Sequence, residues 1–306
     1  MSSRGQDEPR GDGREGAPGG AVPARVERGR GPRGSWLLLL LAVLLLTVLL
    51  VAVLFLWRSL GDSLSGSSVA RDSIDSGTTP RVRLTNGPGQ VSVEGVKGID
   101  SVDYEVTRHA VAGDPAAAKE KAAGVPIDFS REDSTIVLET DGGRNTGADY
   151  ALRIPAGGSV EVESEAGDVE VSGLSGNVTV RAEAGDVTVR DVGGAVTVEA
   201  PQGDVTLSDV STDTGQAELE VGSGDVTLEN VVVGTLEARV EAGDVTLSGR
   251  FSGGGRVFVE TGDIAANLPP EDTRDLTLEA SIGQVVRQPP PQSPEEKDEG
   301  PTREGG

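Results

Sequence analysis

Residues 177–194 read NVTVRAEAGDVTVRDVGG, and this stretch decides the fold. Val178 and Val180 alternate with Thr179 and Arg181, and Glu183-Ala184-Gly185-Asp186 breaks the run. Val187 and Val189 then alternate with Thr188 and Arg190, and Val192-Gly193-Gly194 breaks it again. Successive strand side chains point to opposite sides, so Val faces one way and Thr or Arg the other. The unit is therefore two short strands and two corners.

The corner recurs. Gly-Asp followed by Val or Ile stands at Gly167-Asp168, Gly185-Asp186, Gly203-Asp204, Gly224-Asp225, Gly243-Asp244 and Gly262-Asp263. Successive glycines are 18, 18, 21, 19 and 19 residues apart. One such unit cannot bury its apolar edge alone, but stacked units share a continuous core and pair each other's backbone. The period predicts an all-β fold, a β-helix or β-solenoid of 18–21-residue coils, over a sandwich of regular hairpins. The outer part holds only five aromatic residues, Tyr104, Phe129, Tyr150, Phe251 and Phe258, so aliphatic ladders must form the core.

Upstream of the repeats the period stays at two. Arg81 to Leu84 runs into a turn at Asn86-Gly87-Pro88-Gly89, followed by Gln90 to Glu94. Ser101 to Thr107, Thr135 to Leu138 and Tyr150 to Ile154 alternate similarly. One helix interrupts them: Asp114 is a good N-cap, Pro115 suits the first turn, Ala116 to Ala123 favour helix and Gly124 can close it.

Trp36 to Trp57 is a run of 22 uncharged residues. At about 1.5 Å per residue it makes roughly 33 Å of helix, enough for a hydrocarbon core of about 30 Å. Trp36 and Trp57 would sit at the two headgroup boundaries, with Arg28, Arg30 and Arg33 on one side and Arg58 on the other. The arginine bias predicts a single-pass membrane anchor with a cytoplasmic N-terminus and an extracytoplasmic C-terminal part. A cleaved signal peptide would have a shorter apolar region with a small-residue site close behind it. The expected organisation is a disordered cytoplasmic tail (1–35), a transmembrane α-helix (36–57), a flexible stalk (58–79), the solenoid (80–287) and a disordered tail (288–306).

Composition narrows the function classes. The net charge is −23, there is no cysteine, and His109 is the single histidine. Thiolate chemistry and multi-histidine metal sites are thereby excluded. Residues 58–306 carry 20 basic and 45 acidic side chains, which repels phosphate backbones and argues against nucleic acid. At the Gly-Asp corners, Gly supplies a positive φ and Asp caps a nearby amide. Stacking at about 4.8 Å would align the carboxylates in one column, each pair repelling by about 0.9 kcal/mol even in water. Glu165, Glu183, Glu241 and Glu260, three residues before their Asp, add oxygens, so weak calcium binding is the alternative to a purely structural corner. The lead-in glycines of the calcium β-roll nonapeptide are missing.

Tyr150-Ala151-Leu152-Arg153-Ile154-Pro155-Ala156-Gly157 followed by AGDVTV, QGDVTL, SGDVTL and AGDVTL resembles the bacterial DUF4097 family. The resemblance spans about residues 80–287. It implies a β-helix fold, adhesin-like character and extracytoplasmic placement, and it carries over no catalytic residue. Some members are similar to envelope-stress-associated membrane proteins, which implies sensing as an alternative. The expected function is non-enzymatic adhesion or scaffolding at the cell envelope, with membrane lipid and a cell-wall or envelope protein as partners. A calcium-dependent polysaccharide enzyme is disfavoured, because sugar grooves need basic and aromatic linings that this acidic chain lacks.

Overall fold

The computed structural model of the chain describes residues 65–143, 145–269 and 275–288. The anchor at 36–57 and its flanking Arg28, Arg30, Arg33, Trp36, Trp57 and Arg58 lie outside the described residues. Among the described residues no helix is long and apolar enough to cross a membrane.

In chain order the first strands are β1 (Ser65–Asp75), β2 (Arg81–Pro88), β3 (Val91–Val96) and β4 (Ser101–Val111). The helix α1 (Pro115–Ala123) follows, then β5 (Asp128–Glu132), β6 (Thr135–Thr140), β7 (Thr146–Pro155), β8 (Ser159–Ala166) and β9 (Val169–Ser172). The repeats supply β10 (Val178–Ala182), β11 (Val187–Val192), β12 (Val196–Gln202), β13 (Val205–Ser223) and β14 (Val226–Ala242). The last are β15 (Val245–Phe251), β16 (Gly255–Thr261), β17 (Ile264–Asn267), β18 (Leu276–Ile282) and β19 (Val285–Gln288).

These strands build a β-solenoid with two parallel ladders. One face stacks β6, β2, β8, β10, β12, the second halves of β13 and β14, β16 and β18. The other stacks β7, β3, β9, β11, the first halves of β13 and β14, β15, β17 and β19. Register is strict: Val178 lies against Val160 and Val196, and Val187 against Val169 and Val205. The inward columns are aliphatic and buried, as Val82, Val162, Val180, Val189, Leu207, Val245 and Val257 illustrate. β-branched side chains suit this pleated, one-sided packing. The single 21-residue spacing comes from an irregularity between Thr212 and Gln216, where β13 passes from one face to the other.

The order of levels is not the order of the chain. The β6–β7 level stacks outside β2–β3, and β8–β9 returns to its inner side. The segment between them closes that end. β4 runs antiparallel to β7, β1 antiparallel to β4, and β5 antiparallel to β6. Helix α1 packs on β1 and β4 with Ala118 and Ala122 buried. Its start is capped as expected, with the Asp114 carboxylate accepting from the Ala117 amide at 2.9 Å. At its other end the Arg108 guanidinium donates to the carbonyls of Ala123 and Val125, which satisfies acceptors at a helix C-terminus.

Two expectations need correction. Residues 65–75, assigned to a flexible stalk, form β1, an eleven-residue strand paired along its length with β4. It buries no side chain fully, so no apolar alternation announces it. The run Asn86-Gly87-Pro88 continues β2 instead of turning, and the corner falls at Gly89-Gln90. Asn86 points inward, where its amide donates to the Ala148 carbonyl at 3.0 Å.

Candidate functional site

The Gly-Asp corners form one column along the solenoid. The glycines hold φ from +117° at Gly167 to +149° at Gly224 and Gly243. Crowding and conformation act together here: a Cβ on Gly203 would lie 2.0 Å from the Gly185 carbonyl oxygen. The column is backbone laid on backbone, and only glycine fits that approach.

Each corner aspartate caps an amide, but the amide belongs to the next level and not to its own turn. Asp168 Oδ1 accepts from the Asp186 amide at 3.1 Å, Asp186 from Asp204 at 3.0 Å, and Asp204 from Asp225 at 2.8 Å. Asp225 accepts from Asp244 and Asp244 from Asp263, both at 2.8 Å. A net gain of about 1.5 kcal/mol or more for a hydrogen bond to a charged group exceeds the repulsion between neighbours.

The column is longer than the Gly-Asp motif. Gly89-Gln90 and Gly283-Gln284 occupy the same corner with Gln in place of Asp. Asp263 accepts from the Gln284 amide at 2.7 Å, and Asp149 accepts from the Gln90 amide at 2.9 Å. The shared Gly-x-Val spacing at Gly89 and Gly283 was the signal that could have found them. His109 sits on β4 beside this end, its Nδ1 3.8 Å from Asp149 Oδ2. A second motif marks the opposite corner: Asp191, Asp209 and Asn230 each precede a buried Val and hold φ of +52°, +54° and +55°. Asn and Asp tolerate this left-handed conformation best among residues with a side chain. Asn230 Nδ2 donates to Asp209 Oδ1 at 2.7 Å.

Glu165, Glu183, Glu241 and Glu260 are all exposed near the corner column. Among the described residues no group of three or more His, Asp or Glu side chains gathers as metal ligands would.

The outward faces carry polar columns at strand spacing. On one, Arg83 pairs with Glu161 at 3.1 Å, and Arg181 bridges Glu163 at 3.7 Å and Glu199 at 2.9 Å. The hydrogen bond and charge of Glu199 raise the Arg181 pKa above its ordinary value. Further along, Glu218 lies in register with Glu237, and Glu199 with Glu220. Glu218, Glu220 and Glu237 border a shallow hollow of about 440 Å³ closed by Arg239, Arg256 and Phe258. Both guanidinium groups lie over the Phe258 ring, 5.2 and 5.6 Å from its centre. On the other face Thr188, Thr206, Thr227 and Thr246 form one in-register column. Chemically, these faces offer repeated acceptors and hydroxyls to a ligand that is itself repetitive.

The Toastrack DUF4097 family matches the chain over residues 96–302. Among solved structures, the fold is similar to a candidate adhesin from Bacteroides fragilis NCTC 9343, with 14% identity and a TM-score of 0.45. That alignment covers 72% of this chain and 97% of the other. It is also similar to a candidate cell adhesion protein from Clostridium sporogenes ATCC 15579, with 12% identity and a TM-score of 0.27, covering 73% and 98%. No curated protein matches the chain.

Proposed function

Because the chain belongs to the Toastrack DUF4097 family, we propose that it is a non-enzymatic adhesion or scaffold protein of the cell envelope. Residues 36–57 anchor it in the membrane as a single helix, with residues 1–35 in the cytoplasm and the solenoid outside. Its partner is a repetitive wall polymer or an envelope protein.

The observation that carries this reading is the strict register of the outward columns. On one face Thr188, Thr206, Thr227 and Thr246 repeat at one place about 4.8 Å apart, and on the other Thr, Glu and Arg side chains stand in register from level to level. A partner with its own repeat can meet many such positions at once, and many weak contacts add to useful avidity. The 22 uncharged residues and the arginines before them support the anchor and its orientation.

Crosslinking in intact cells, followed by membrane solubilisation and capture of the full chain, tests the reading. Wall polymer or a structural envelope protein in the eluate is the expected result. Capture of a regulatory membrane protein alone would replace adhesion with sensing. Protease added to intact cells should reach the solenoid; full protection would overturn the orientation.

A further inference from the structure

Another hollow, of about 580 Å³, spans the four stacked levels of β2, β8, β10 and β12 beside the Gly-Asp column. Its lining sets four glutamates, Glu163, Glu165, Glu183 and Glu199, against one cation, Arg181. That arginine is already engaged by Glu163 and Glu199. Glu165 and Glu183 stand just ahead of the corner glycines Gly167 and Gly185, exposed and without a cation among the described residues.

An acidic rim alone is an ordinary solvated face, but this one lies over buried polar groups. Asn86 and Ser164 also line the hollow, are 1% and 4% exposed, and lie in register on neighbouring levels. Neither Asn86 Oδ1 nor Ser164 Oγ has a hydrogen-bond partner among the described residues. The Asn86 amide nitrogen is spent on the carbonyls of Gly89 and Ala148. Further along this inward column stand Ala182, Ala200, Val221, Val240 and Val259, so packing does not demand a polar side chain. A buried oxygen without a donor is destabilising, and these two call for a donor from outside the chain.

Acceptors and negative charge dominate the lining, so the matching ligand is a cation that carries N–H groups. Among the described residues no carboxylates gather closely enough to hold a metal ion. An ammonium presents three diverging donors, which suits an acceptor in the wall and carboxylates at the rim. Ala184 and Pro201 add apolar surface for a methylene stem, as lysine buries its stem while its charged head stays among polar groups. We propose that this hollow binds a protonated primary amine on an alkyl chain, such as a lysine side chain. Glu165 and Glu183 match its charge, and Ser164 Oγ accepts one of its hydrogens. The inference rests on neither the membrane anchor nor the adhesion reading.

The full chain, purified in detergent micelles, is titrated calorimetrically with Nα-acetyl-lysine amide and with Nα-acetyl-norleucine amide, which keeps the stem and lacks the ammonium. Binding of the first and not the second is expected. Ser164→Ala installs the residue that Ala182 holds one level on, so the fold should stand by circular dichroism while affinity falls about threefold or more. Glu165→Gln combined with Glu183→Gln should weaken binding at least about tenfold. Glu241→Gln combined with Glu260→Gln makes the same charge change at equivalent corners outside the hollow and should leave binding unchanged. Absence of binding, or an equal loss from both glutamine pairs, overturns the proposal. Unchanged affinity in Ser164→Ala overturns it as well, leaving the buried oxygens to internal water. So does glucosamine binding as tightly as the lysine amide, since no methylene stem would then be read.

Discussion

At a corner glycine two requirements coincide: φ near +134° at Gly203, and a neighbouring carbonyl oxygen only 2.0 Å from where a Cβ would stand. Gly203→Ala must therefore strain the chain and push two levels apart, costing about 2–4 kcal/mol in urea unfolding. Gly98 has φ of +81° but nothing within 4 Å of a Cβ, so Gly98→Ala should cost only about 1 kcal/mol. Equal losses would show that crowding between levels does not define the corner. The aspartate beside it separates hydrogen bonding from charge. Asp225→Ala removes the acceptor for the Asp244 amide and should be about 1 kcal/mol less stable than Asp225→Asn, which relieves the same repulsion. Asp225→Asn keeps an acceptor and relieves repulsion of about 0.9 kcal/mol from each neighbour, so it should be neutral or stabilising at low salt. Added salt should erase that advantage. With one oxygen of each carboxylate engaged and no ligand set gathered among the described residues, millimolar calcium should leave the thermal midpoint in place; a rise would assign the column to cation binding.

Among the elements, α1 depends on one close approach. A Cβ on Gly66 of β1 would stand 2.3 Å from the Lys119 nitrogen and 2.5 Å from the Ala118 carbonyl carbon. Gly66→Val should lift the helix, at a cost of about 1–3 kcal/mol. Hydrogen exchange should then speed up in α1 and β1 while β8 to β15 stay protected; loss of protection throughout would make the cap essential to the whole stack. This helix was legible in the sequence because its signals are local: Asp114, Pro115, an alanine run and Gly124. The repeat corners were legible because glycine and its spacing survive without knowledge of partners. Strand β1 was not, since Ser65 to Asp75 is held by backbone pairing and buries too little to leave a pattern. The exchange of level order was hidden for the opposite reason. Val82 packs equally well against Ile136 and Val160, so interchangeable aliphatic columns do not record which level lies beside which. The function of the aspartate was half legible: a cap could be read, but its target one level away exists only after stacking.

For the whole molecule, each level touches only its neighbours, so stability is close to a sum of levels and the interfaces between them. An interior level shares two interfaces and an end level one. The closed end gains a further interface from β4, α1 and β5, whereas β18 and β19 have none beyond β16 and β17 among the described residues. Opening should therefore begin at β18–β19 and move inward, because that path breaks one interface at a time without uncovering the cap. Hydrogen exchange of the dilute full chain should rank protection lowest in β18 and β19, higher in β16 and β17, and highest in β8 to β11. Substitutions should sort by the same rule. Val189→Ala, at a fully buried central position, should lower the midpoint of the main unfolding transition by an amount near 2 kcal/mol. Leu276→Ala, on the last level, should mainly accelerate local exchange and leave the main transition nearly unmoved. Uniform protection along the stack would mean that the solenoid opens as one cooperative body, and the level-by-level account would fail.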